Sequence, residues 1–358
     1  MQSLRSLTLA AGACTIALWP ALSWAGPVVA TQLKAVPKPA AAPTLEATVF
    51  FESLAGGHRV LGRSNALNPC KAFLGRAGRG WMAYPDPGLD GDDLTAVTSP
   101  DGQHLALISS RGGAVNLWLA SPDGRSLRNV SDDQGGILDA AAVNDQSLAF
   151  SNDSKRLAWI QRGRVWVMDL ATDEPHTLCL LKGALALAWS PDDRWVAVST
   201  SDSIHKIGPH GEPDFVLVPY GVSQPWIQWD PDPKADTLYF INQGLRKVDG
   251  QRKISMLITS PVDPNSAALV GKQAVLLNVA PSGRTEVYRG SLDGKTPPLQ
   301  VTLGGAQGVW ALGQTLCFVR DGVLWRCGLD GAQARPLSDI PVEGVSIGIL
   351  PPLAGACP

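Results

Sequence analysis

The segment from Gly344 to Gly348 reads Gly-Val-Ser-Ile-Gly and matches the Gly-x-Ser-x-Gly pattern of a nucleophilic serine. In α/β-hydrolases that serine occupies a sharp turn between a strand and a helix, and an Asp and a His follow it along the chain. Only ten residues follow Gly348, and they include neither Asp nor His. We therefore expect Ser346 to lie in an ordinary terminal strand without a catalytic role.

The histidines and carboxylates do not have the spacing of a metal site or an acid–base pair. None of the five histidines has a second histidine four residues away. His205 and His210 flank one turn and are expected on a surface loop. The acidic run does not match a calcium loop and is expected to be solvated; it comprises Asp86, Asp90, Asp92 and Asp93. We predict no catalytic residue, no metal and no cofactor.

Composition excludes several classes of protein before any fold is considered. Lys and Arg number 30 and Asp and Glu number 32, so there is no basic excess to neutralise nucleic-acid phosphates. Hydrophobic residues make up 45% of the chain and charged residues 17%, which favours a packed core over disorder. There are 37 Gly and 28 Pro, which is typical of many short elements joined by turns and disfavours a helical bundle.

The N-terminal region has the composition of a targeting segment followed by a spacer. Arg5 is the only charged residue before Lys34, an apolar run begins at Leu7, and Ser23 and Ala25 supply the small residues of a cleavage site. This predicts a signal peptide over 1–25, with an uncleaved anchor as the alternative, and a Pro/Ala-rich linker over 26–43. No later apolar run is long enough to cross a membrane. The mature chain is therefore predicted to be periplasmic or secreted, with a single domain over 44–358.

A repeat of about forty residues dominates the rest of the chain. Three copies begin with a polar turn and continue into an apolar strand: Ser99–Ile108, Ser151–Ile160 and Ser190–Ser199. Three weaker copies follow. The first apolar residues of the six strands are separated by 52, 39, 42, 37 and 41 residues, and they are Leu105, Leu157, Val196, Leu238, Val275 and Leu316. A second apolar strand follows each of them, and it usually ends at an Asp-Gly turn.

Four strands per repeat, with six repeats between about 94 and 339, predict an all-β fold: a six-bladed β-propeller of four-stranded antiparallel blades. A linear solenoid is the alternative, but solenoid repeats are usually shorter and parallel. Closure of a ring also removes the open edges that a row of small sheets would leave. Residues 45–62 and 344–350 have strand character and bracket the repeats, so a seventh blade forms if they pair and add strands of their own.

The repeat resembles the WD-like repeat of TolB-type propellers. The resemblance rests on Ser-Pro-Asp-Gly-x-x-Leu-Ala over Ser99–Ala106 and on Leu-Trp followed by Asp-Gly over Leu117–Gly124, and the repeats cover about 245 residues. TolB itself has an α/β domain before its propeller, whereas only about fifty residues separate the linker from the first repeat here. The resemblance therefore implies an exported propeller with a protein-binding face rather than TolB's own role.

The innermost strands indicate what the centre of the ring contains. Thr98, Phe150, Trp189 and Trp229 hold equivalent positions and are expected to pack between blades. Because side chains alternate along a strand, their neighbours should line the channel. These neighbours are uncharged: Thr95, Val97, Ser147, Ala149, Ala186, Ala188, Trp226 and Gln228. Acid–base and metal chemistry need ionisable groups, so we predict that the chain is not an enzyme.

Three tryptophans lie outside the repeat pattern and are candidates for partner binding: Trp81, Trp226 and Trp310. Ordinary packing is the alternative for each. We predict a non-catalytic, exported scaffold that binds another protein or an envelope component, and no nucleic acid. One alternative is a propeller hydrolase or lyase, which carboxylates or histidines at one mouth of the channel would favour. Another is a glycan-binding lectin, which repeated aromatic pockets would favour.

One pair of cysteines is predicted not to form a disulfide. Cys317 and Cys327 flank a hairpin signal at Asp321-Gly322. That loop pairs Cys317 with Arg326 and Cys327 with Leu316, which places the two thiols on opposite faces of the hairpin. A bond between them would be strained.

A second pair of cysteines, Cys70 and Cys357, is a candidate for a disulfide. The two residues lie just outside the two ends of the repeats, and closure of the ring brings those ends together. Such a bond would close a very long loop. Cys179 is a competing partner.

Overall fold

The middle strands of the repeats are continuous apolar runs because each blade is covered on both faces by its neighbours. The strands Leu105–Ser109 and Val196–Thr200 are buried along their whole length. Polar turns rich in Ser, Asp and Gly separate these runs and keep the strands short. No α-helix is present in the part of the chain that the structure describes.

The computed structural model describes residues 46–55, 58–65, 82–83, 93–110, 113–121, 126–131, 143–144, 146–219, 226–259, 262–337 and 344–350. These residues all lie within 43–358, which forms one compact unit. The predicted signal peptide and linker, together with Trp81, Cys70 and Cys357, lie outside the described residues. Those predictions therefore stay untested. Within the described residues, no helix has the length and apolar character needed to cross a membrane.

The described strands, in chain order, are β1 (Glu46–Ala55), β2 (His58–Asn65), β3 (Met82–Ala83), β4 (Asp93–Thr98), β5 (Leu105–Ser109), β6 (Asn116–Ala120), β7 (Leu127–Asn129), β8 (Leu148–Phe150), β9 (Arg156–Gln161), β10 (Arg164–Asp169), β11 (Glu174–Leu180), β12 (Ala184–Trp189), β13 (Val196–Thr200), β14 (Ile204–Ile207), β15 (Asp214–Val218), β16 (Ile227–Trp229), β17 (Leu238–Ile241), β18 (Leu245–Val248), β19 (Ile254–Ile258), β20 (Val262–Val270), β21 (Gln273–Val279), β22 (Thr285–Ser291), β23 (Leu299–Gln300), β24 (Val309–Leu312), β25 (Thr315–Arg320), β26 (Val323–Gly328), β27 (Arg335–Pro336) and β28 (Gly344–Leu350).

The six repeats form six four-stranded antiparallel blades, as predicted. Blade 1 consists of β4–β7, blade 2 of β8–β11, blade 3 of β12–β15, blade 4 of β16–β19, blade 5 of β20–β23 and blade 6 of β24–β27. Within each blade the strands pair in sequence order, from an inner strand to an outer one. The prediction of an all-β propeller is confirmed.

The two strand segments that bracket the repeats pair with each other. Strand β28 pairs antiparallel with β1, placing Ser346 opposite Phe50 and Gly348 opposite Thr48. Strands β2 and β3 complete a four-stranded sheet in the order β28-β1-β2-β3, which we call the closing sheet. Strand β28 lies beside β4 of blade 1 and β24 of blade 6. The condition stated above for a seventh blade is therefore met, and the sheet joins the two ends of the row of blades.

The hydrophobic core lies between the blades rather than at one centre. One layer joins blades 3 and 4 through Ala197, Ile204, Ile227 and Phe240, all of which are buried. Equivalent layers join blades 1 and 2, 2 and 3, 4 and 5, and 5 and 6. Each blade thus depends on both neighbours for burial of its two faces.

The turns between the first two strands of the leading blades use one repeated hydrogen-bond pattern. In blade 1 the Ser99 hydroxyl donates to Asp101 and accepts from the backbone N–H of His104. Blades 2 and 3 repeat this arrangement from Ser151 and Ser190. The Ser-x-Asp signature of the repeat is therefore explained by turn geometry.

The hairpin of β25 and β26 has the register predicted from its turn. Cys317 pairs with Arg326 and Cys327 pairs with Leu316. The two thiols are free and buried, and Cys179 is also a free thiol. The register that separates the two thiols is therefore the predicted one.

Candidate binding site in the central channel

The inner strands of the blades surround a cavity of about 600 Å³ at the centre of the ring. No residue in the described part of its lining is charged. The lining comprises Val97, Thr98, Pro100, Asn144, Gln146, Leu148, Ala149, Phe150, Asn152, Leu187, Ala188, Trp189, Pro191, Trp226, Ile227, Gln228, Trp229, Pro231, Ser266, Ala267, Val309 and Trp310. Apolar and amide groups therefore define the chemistry of this cavity.

The predicted lining is correct for five of eight positions. Val97, Ala149, Ala188, Trp226 and Gln228 line the cavity. The other three, Thr95, Ser147 and Ala186, are buried away from it. Thr95 lies in regular register two residues before Val97, and Ala186 two residues before Ala188, so each shares a strand face with a lining residue and differs from it only in position along the strand.

Two tryptophans that line the cavity also connect neighbouring blades. The Trp189 indole N–H donates to the carbonyl of Ala149 at 3.1 Å, and the Trp229 indole N–H donates to the carbonyl of Ala188 at 3.1 Å. Phe150 holds the equivalent position in blade 2 and is buried. The prediction that these rings pack between blades is confirmed.

Gln146 and Asn144 fix the wall of the channel through their side-chain amides. The Gln146 side chain donates to the carbonyl of Ile227 at 2.5 Å and accepts from the N–H of Ile227 at 2.8 Å. The amide of Asn144 donates to the carbonyl of Leu185 at 2.8 Å. These bonds join blade 2 to the inner strands of blades 4 and 3. Sequence analysis missed both residues because they precede β8 and lie outside the repeated strand pattern.

Two further polar side chains have the same structural role. The carbonyl oxygen of Gln228 accepts from the N–H of Leu269, and Ser266 exchanges two hydrogen bonds with the backbone of Val309. The polar groups of the channel are thus used to hold inner strands together. None of them is an ionisable group.

The two ends of the channel differ in chemistry. Pro100, Pro191 and Pro231 follow the ends of β4, β12 and β16, so they line one mouth. Trp226 precedes the start of β16 and lies toward the other mouth. It is 6% exposed and packs in the layer between blades 4 and 5. Trp310 lies on β24 and is half-buried.

A glycine determines where the Trp310 ring lies. A Cβ added at Gly308 would lie 2.4 Å from the Trp310 ring, which is far inside normal contact distance. Only glycine at this position allows the ring its place in the cavity wall. Trp226 and Trp310, two of the three candidate anchors, therefore line one cavity, although neither is a fully exposed side chain.

The carboxylates near the proline-lined mouth are engaged within the protein. Asp230 accepts a hydrogen bond from the hydroxyl of Tyr239 at 2.9 Å, and burial together with this carboxylate raises the pKa of Tyr239. Although burial opposes the effect, hydrogen bonds from Ser190 and Arg194 lower the pKa of Asp192. Asp192 thus stays ionised as part of its turn.

Ser346 lies in the middle of β28 and pairs with Phe50 of β1. A strand-turn-helix elbow is not formed at this position. The expectation that the Gly-x-Ser-x-Gly segment is an ordinary strand is confirmed.

One polar cluster outside the channel has the connectivity of a serine-hydrolase triad. His205 Nε2 is 3.1 Å from the Ser203 hydroxyl, and His205 Nδ1 is 3.0 Å from Asp214. Ser203 is only 9% exposed, its hydroxyl also contacts Thr200 Oγ1 at 2.8 Å, and it does not line the channel cavity. The cluster therefore fastens β14 to β15 and to the preceding turn.

The expectation of a surface loop for His205 was wrong. His205 lies on β14, and its side chain is 14% exposed. The repeat itself indicates a second strand at Ile204-His205, and His205 lies within that strand rather than in the turn that follows it. His210 lies in the following turn and is exposed, as expected. In the described ranges no three His, Cys, Asp or Glu side chains are grouped closely enough to hold a metal ion.

The fold of this chain is similar to the folds of several solved structures. The fold is similar to oligogalacturonate lyase from Vibrio parahaemolyticus, with a TM-score of 0.54 and 9% identity over 83% of this chain and 86% of that one. A prolyl endopeptidase structure gives a TM-score of 0.53 and 16% identity over 86% of this chain and 51% of that one, so this chain spans about half its length. These two structural similarities agree with the six blades and their repeats. The chain has a β-propeller fold.

The comparisons show nothing beyond this propeller fold. TolB from Acinetobacter baumannii gives a TM-score of 0.47 and 15% identity over 72% of this chain and 66% of that one. That score is too low to support an inference about fold or function. Neither the protein-family models nor the curated proteins gave a match.

Proposed function

We propose that this propeller is a non-catalytic, exported binding module whose central cavity receives a segment of another protein or envelope component. The observation that carries the proposal is the cavity lining, which combines aromatic rings, prolines and amides without a charged side chain among the described residues. Such a surface suits an uncharged, partly apolar segment, because burial of a charged one would leave that charge unpaired. Trp226 and Trp310 supply the aromatic contact area that is typical of binding hot spots.

The polar groups of the cavity support binding rather than catalysis. Gln146, Gln228 and Ser266 already bridge the inner strands, so the wall is rigid before a ligand arrives. A preformed wall lowers the entropy lost on binding. General acid–base chemistry would need an ionisable group aimed into the cavity.

The test places a photo-crosslinking amino acid at Trp310 and exposes the protein to envelope extract. The crosslinked partner is then purified, and its affinity is measured with Trp310→Ala and with Leu180→Ala. Leu180 is an exposed residue on the outer strand of blade 2 and serves as the matched control. We expect Trp310→Ala to weaken binding by about tenfold or more and Leu180→Ala to leave it unchanged. Equal affinities for the two variants would contradict the proposal.

A second candidate function is a lyase that acts on an acidic polysaccharide, and the structural likeness to oligogalacturonate lyase favours it. The described lining of the channel has no charged side chain, so the acid–base groups of such a lyase in the channel would have to be residues outside the described ranges. Incubation of the protein with oligogalacturonate, with and without manganese, decides between the two functions. Formation of an unsaturated product would replace the binding proposal. Binding of the oligosaccharide without turnover would instead favour a lectin.

A further inference from the structure

An open cleft of about 660 Å³ lies between blades 5 and 6, away from the channel. It is bordered by the turn between β20 and β21, by the central part of β22 and by the end of β26. Its lining residues are Val270, Gly271, Lys272, Gln273, Arg289, Gln314, Gly328, Leu329 and Asp330. Two of these side chains carry a positive charge and one carries a negative charge.

Arg289 projects from blade 5 toward blade 6. It lies on β22 directly opposite Val275 of β21, and side chains directly opposite each other share a face of the sheet. Val275 is buried in the layer between blades 5 and 6, together with Val287 and Phe318. Arg289 is half-buried and lies where this apolar layer opens into the cleft.

Other basic side chains at blade interfaces find a partner on the next blade. Arg156 of blade 2 donates to the carbonyl of Asp193 at 3.0 Å and lies 4.6 Å from the centre of the Trp189 ring. Lys206 of blade 3 pairs with Asp236 of blade 4.

Arg128 of blade 1 pairs with Asp173 of blade 2 in the same way. The guanidinium of Arg289 has no hydrogen bond, ion pair or ring contact with any residue that the structure describes, and the same is true of the ammonium of Lys272. A half-buried charge without a partner is unfavourable, so the basic side chains of this interface are suited to an anion from outside the protein, whereas those of the other interfaces are paired within it.

Asp330, the one carboxylate among the described residues that line the cleft, does not pair with these two cations. Asp330 accepts a hydrogen bond from the N–H of Ala332 at 3.0 Å and so closes its own turn. It forms no ion pair with Lys272 or Arg289 within the described part of the chain. The cleft therefore keeps a net positive charge, with the amides of Gln273 and Gln314 beside it.

We propose that the cleft between blades 5 and 6 binds a carboxylate of an acidic peptide segment. The planar guanidinium of Arg289 matches a carboxylate with two parallel hydrogen bonds, and Lys272 adds a second positive charge. The amides of Gln273 and Gln314 can bond the peptide groups on either side of the acidic residue. This site is separate from the channel and does not depend on the function proposed for it.

The test is an NMR titration of the full-length mature protein with two blocked tripeptides, Gly-Glu-Gly and Gly-Gln-Gly. We expect the Glu peptide to shift the amide signals of Gly271, Gln273 and Gly328, and the Gln peptide to bind at least about tenfold more weakly. Arg289→Gln and Lys272→Gln should each weaken binding of the Glu peptide by about tenfold. Lys182→Gln, an exposed lysine near the turn before β12, removes the same charge elsewhere and should leave the affinity unchanged.

Three results would overturn the proposal. One is equal affinity for the Glu and Gln peptides. Another is equal loss of affinity in Lys182→Gln and in the two cleft variants, which would show general electrostatic attraction. The third comes from a parallel titration with inorganic phosphate: saturation by phosphate without binding of the Glu peptide would assign the cleft to a different anion. Lys272 is exposed, so its variant remains informative if Arg289→Gln does not fold.

Discussion

Gln146 illustrates how a polar side chain in the channel can stabilise the ring. Its amide satisfies both the N–H and the carbonyl of Ile227, a fully buried residue two blades away. The two bonds therefore link the inner part of blade 2 to the inner strand of blade 4. The polar side chain of Gln146 in the cavity thus serves to hydrogen-bond the strands that form the cavity wall.

Gln146→Ala should lower the free energy of unfolding by about 1–3 kcal/mol, because it leaves buried backbone groups without partners. Urea denaturation of the purified domain measures the loss. Gln103→Ala, at an exposed turn position, should change the free energy of unfolding by less than about 0.5 kcal/mol. If the two variants have the same unfolding midpoint, the bridging role of Gln146 is refuted.

Burial also determines how Cys317 behaves as pH rises. Burial raises the pKa of its thiol from 9.0 to about 12, with a smaller contribution from Cys327. Because the folded state holds this proton more tightly than the unfolded state, the stabilisation is complete below pH 9. It is lost progressively as pH rises from 9 toward 12.

We expect the free energy of unfolding to fall as pH rises above 9, and to fall less steeply in Cys317→Ala. The difference in slope should approach about 1.4 kcal/mol per pH unit. Urea denaturation under reducing conditions at a series of pH values measures it. Parallel curves for the two proteins would show that Cys317 is not protected from ionisation.

At the scale of the strands, one tryptophan position connects successive blades. Trp189 and Trp229 end the inner strands β12 and β16, and each donates to a carbonyl of the preceding inner strand. Lys206 lies 5.5 Å from the centre of the Trp229 ring, so that ring also shields a buried ammonium. Blade 2 has Phe150 at the equivalent position, which shows that a ring without an N–H group fits the same packing.

Trp229→Phe should keep the ring contacts and remove only the hydrogen bond to Ala188. We expect the free energy of unfolding to fall by about 0.5–1.5 kcal/mol. Trp229→Leu should lower it further, since it also removes the aromatic face beside Lys206. Thermal and urea unfolding measure both effects. If Trp229→Phe is as stable as the wild type, the connection between the strands is apolar packing alone.

At the scale of the whole molecule, the closing sheet links the beginning of the propeller to its end. Strand β28 pairs with β1 and lies beside the inner strands of blades 1 and 6. Every blade relies on both neighbours for burial, so loss of one contact exposes a row of apolar side chains and an open strand edge. Closure of the ring is thus a property of the complete set of blades.

Deletion of residues 344–358 should abolish cooperative unfolding or make the protein aggregate. Deletion of residues 351–358 keeps β28 and removes Cys357, so under reducing conditions it should leave the unfolding midpoint nearly unchanged. Circular dichroism and limited proteolysis measure both variants. A stable, cooperatively folded product of the longer deletion would contradict the role of β28 in closure.

The sequence by itself determined the local structure of this protein. Leu105, Val196 and Leu238 each begin the second strand of a blade, as the repeat predicted, because an apolar run bounded by polar turns has few alternatives to a buried strand. The register of Cys317 and Cys327 followed from a two-residue turn. Such features depend on contacts between residues close together in the chain.

Only the tertiary structure decided which distant residues share a site. Gln146 hydrogen-bonds to Ile227, which is 81 residues away in the chain. Arg289 lines a cleft with residues of the next blade, and the repeat pattern does not indicate that its charge lies there. Thr95 and Ala186 lie on the same strand faces as Val97 and Ala188 but outside the cavity, because alternation gives the face of a residue and not its depth along the channel. The physical reason is that side-chain environments are set by packing between blades, whereas the repeat encodes only the blade itself.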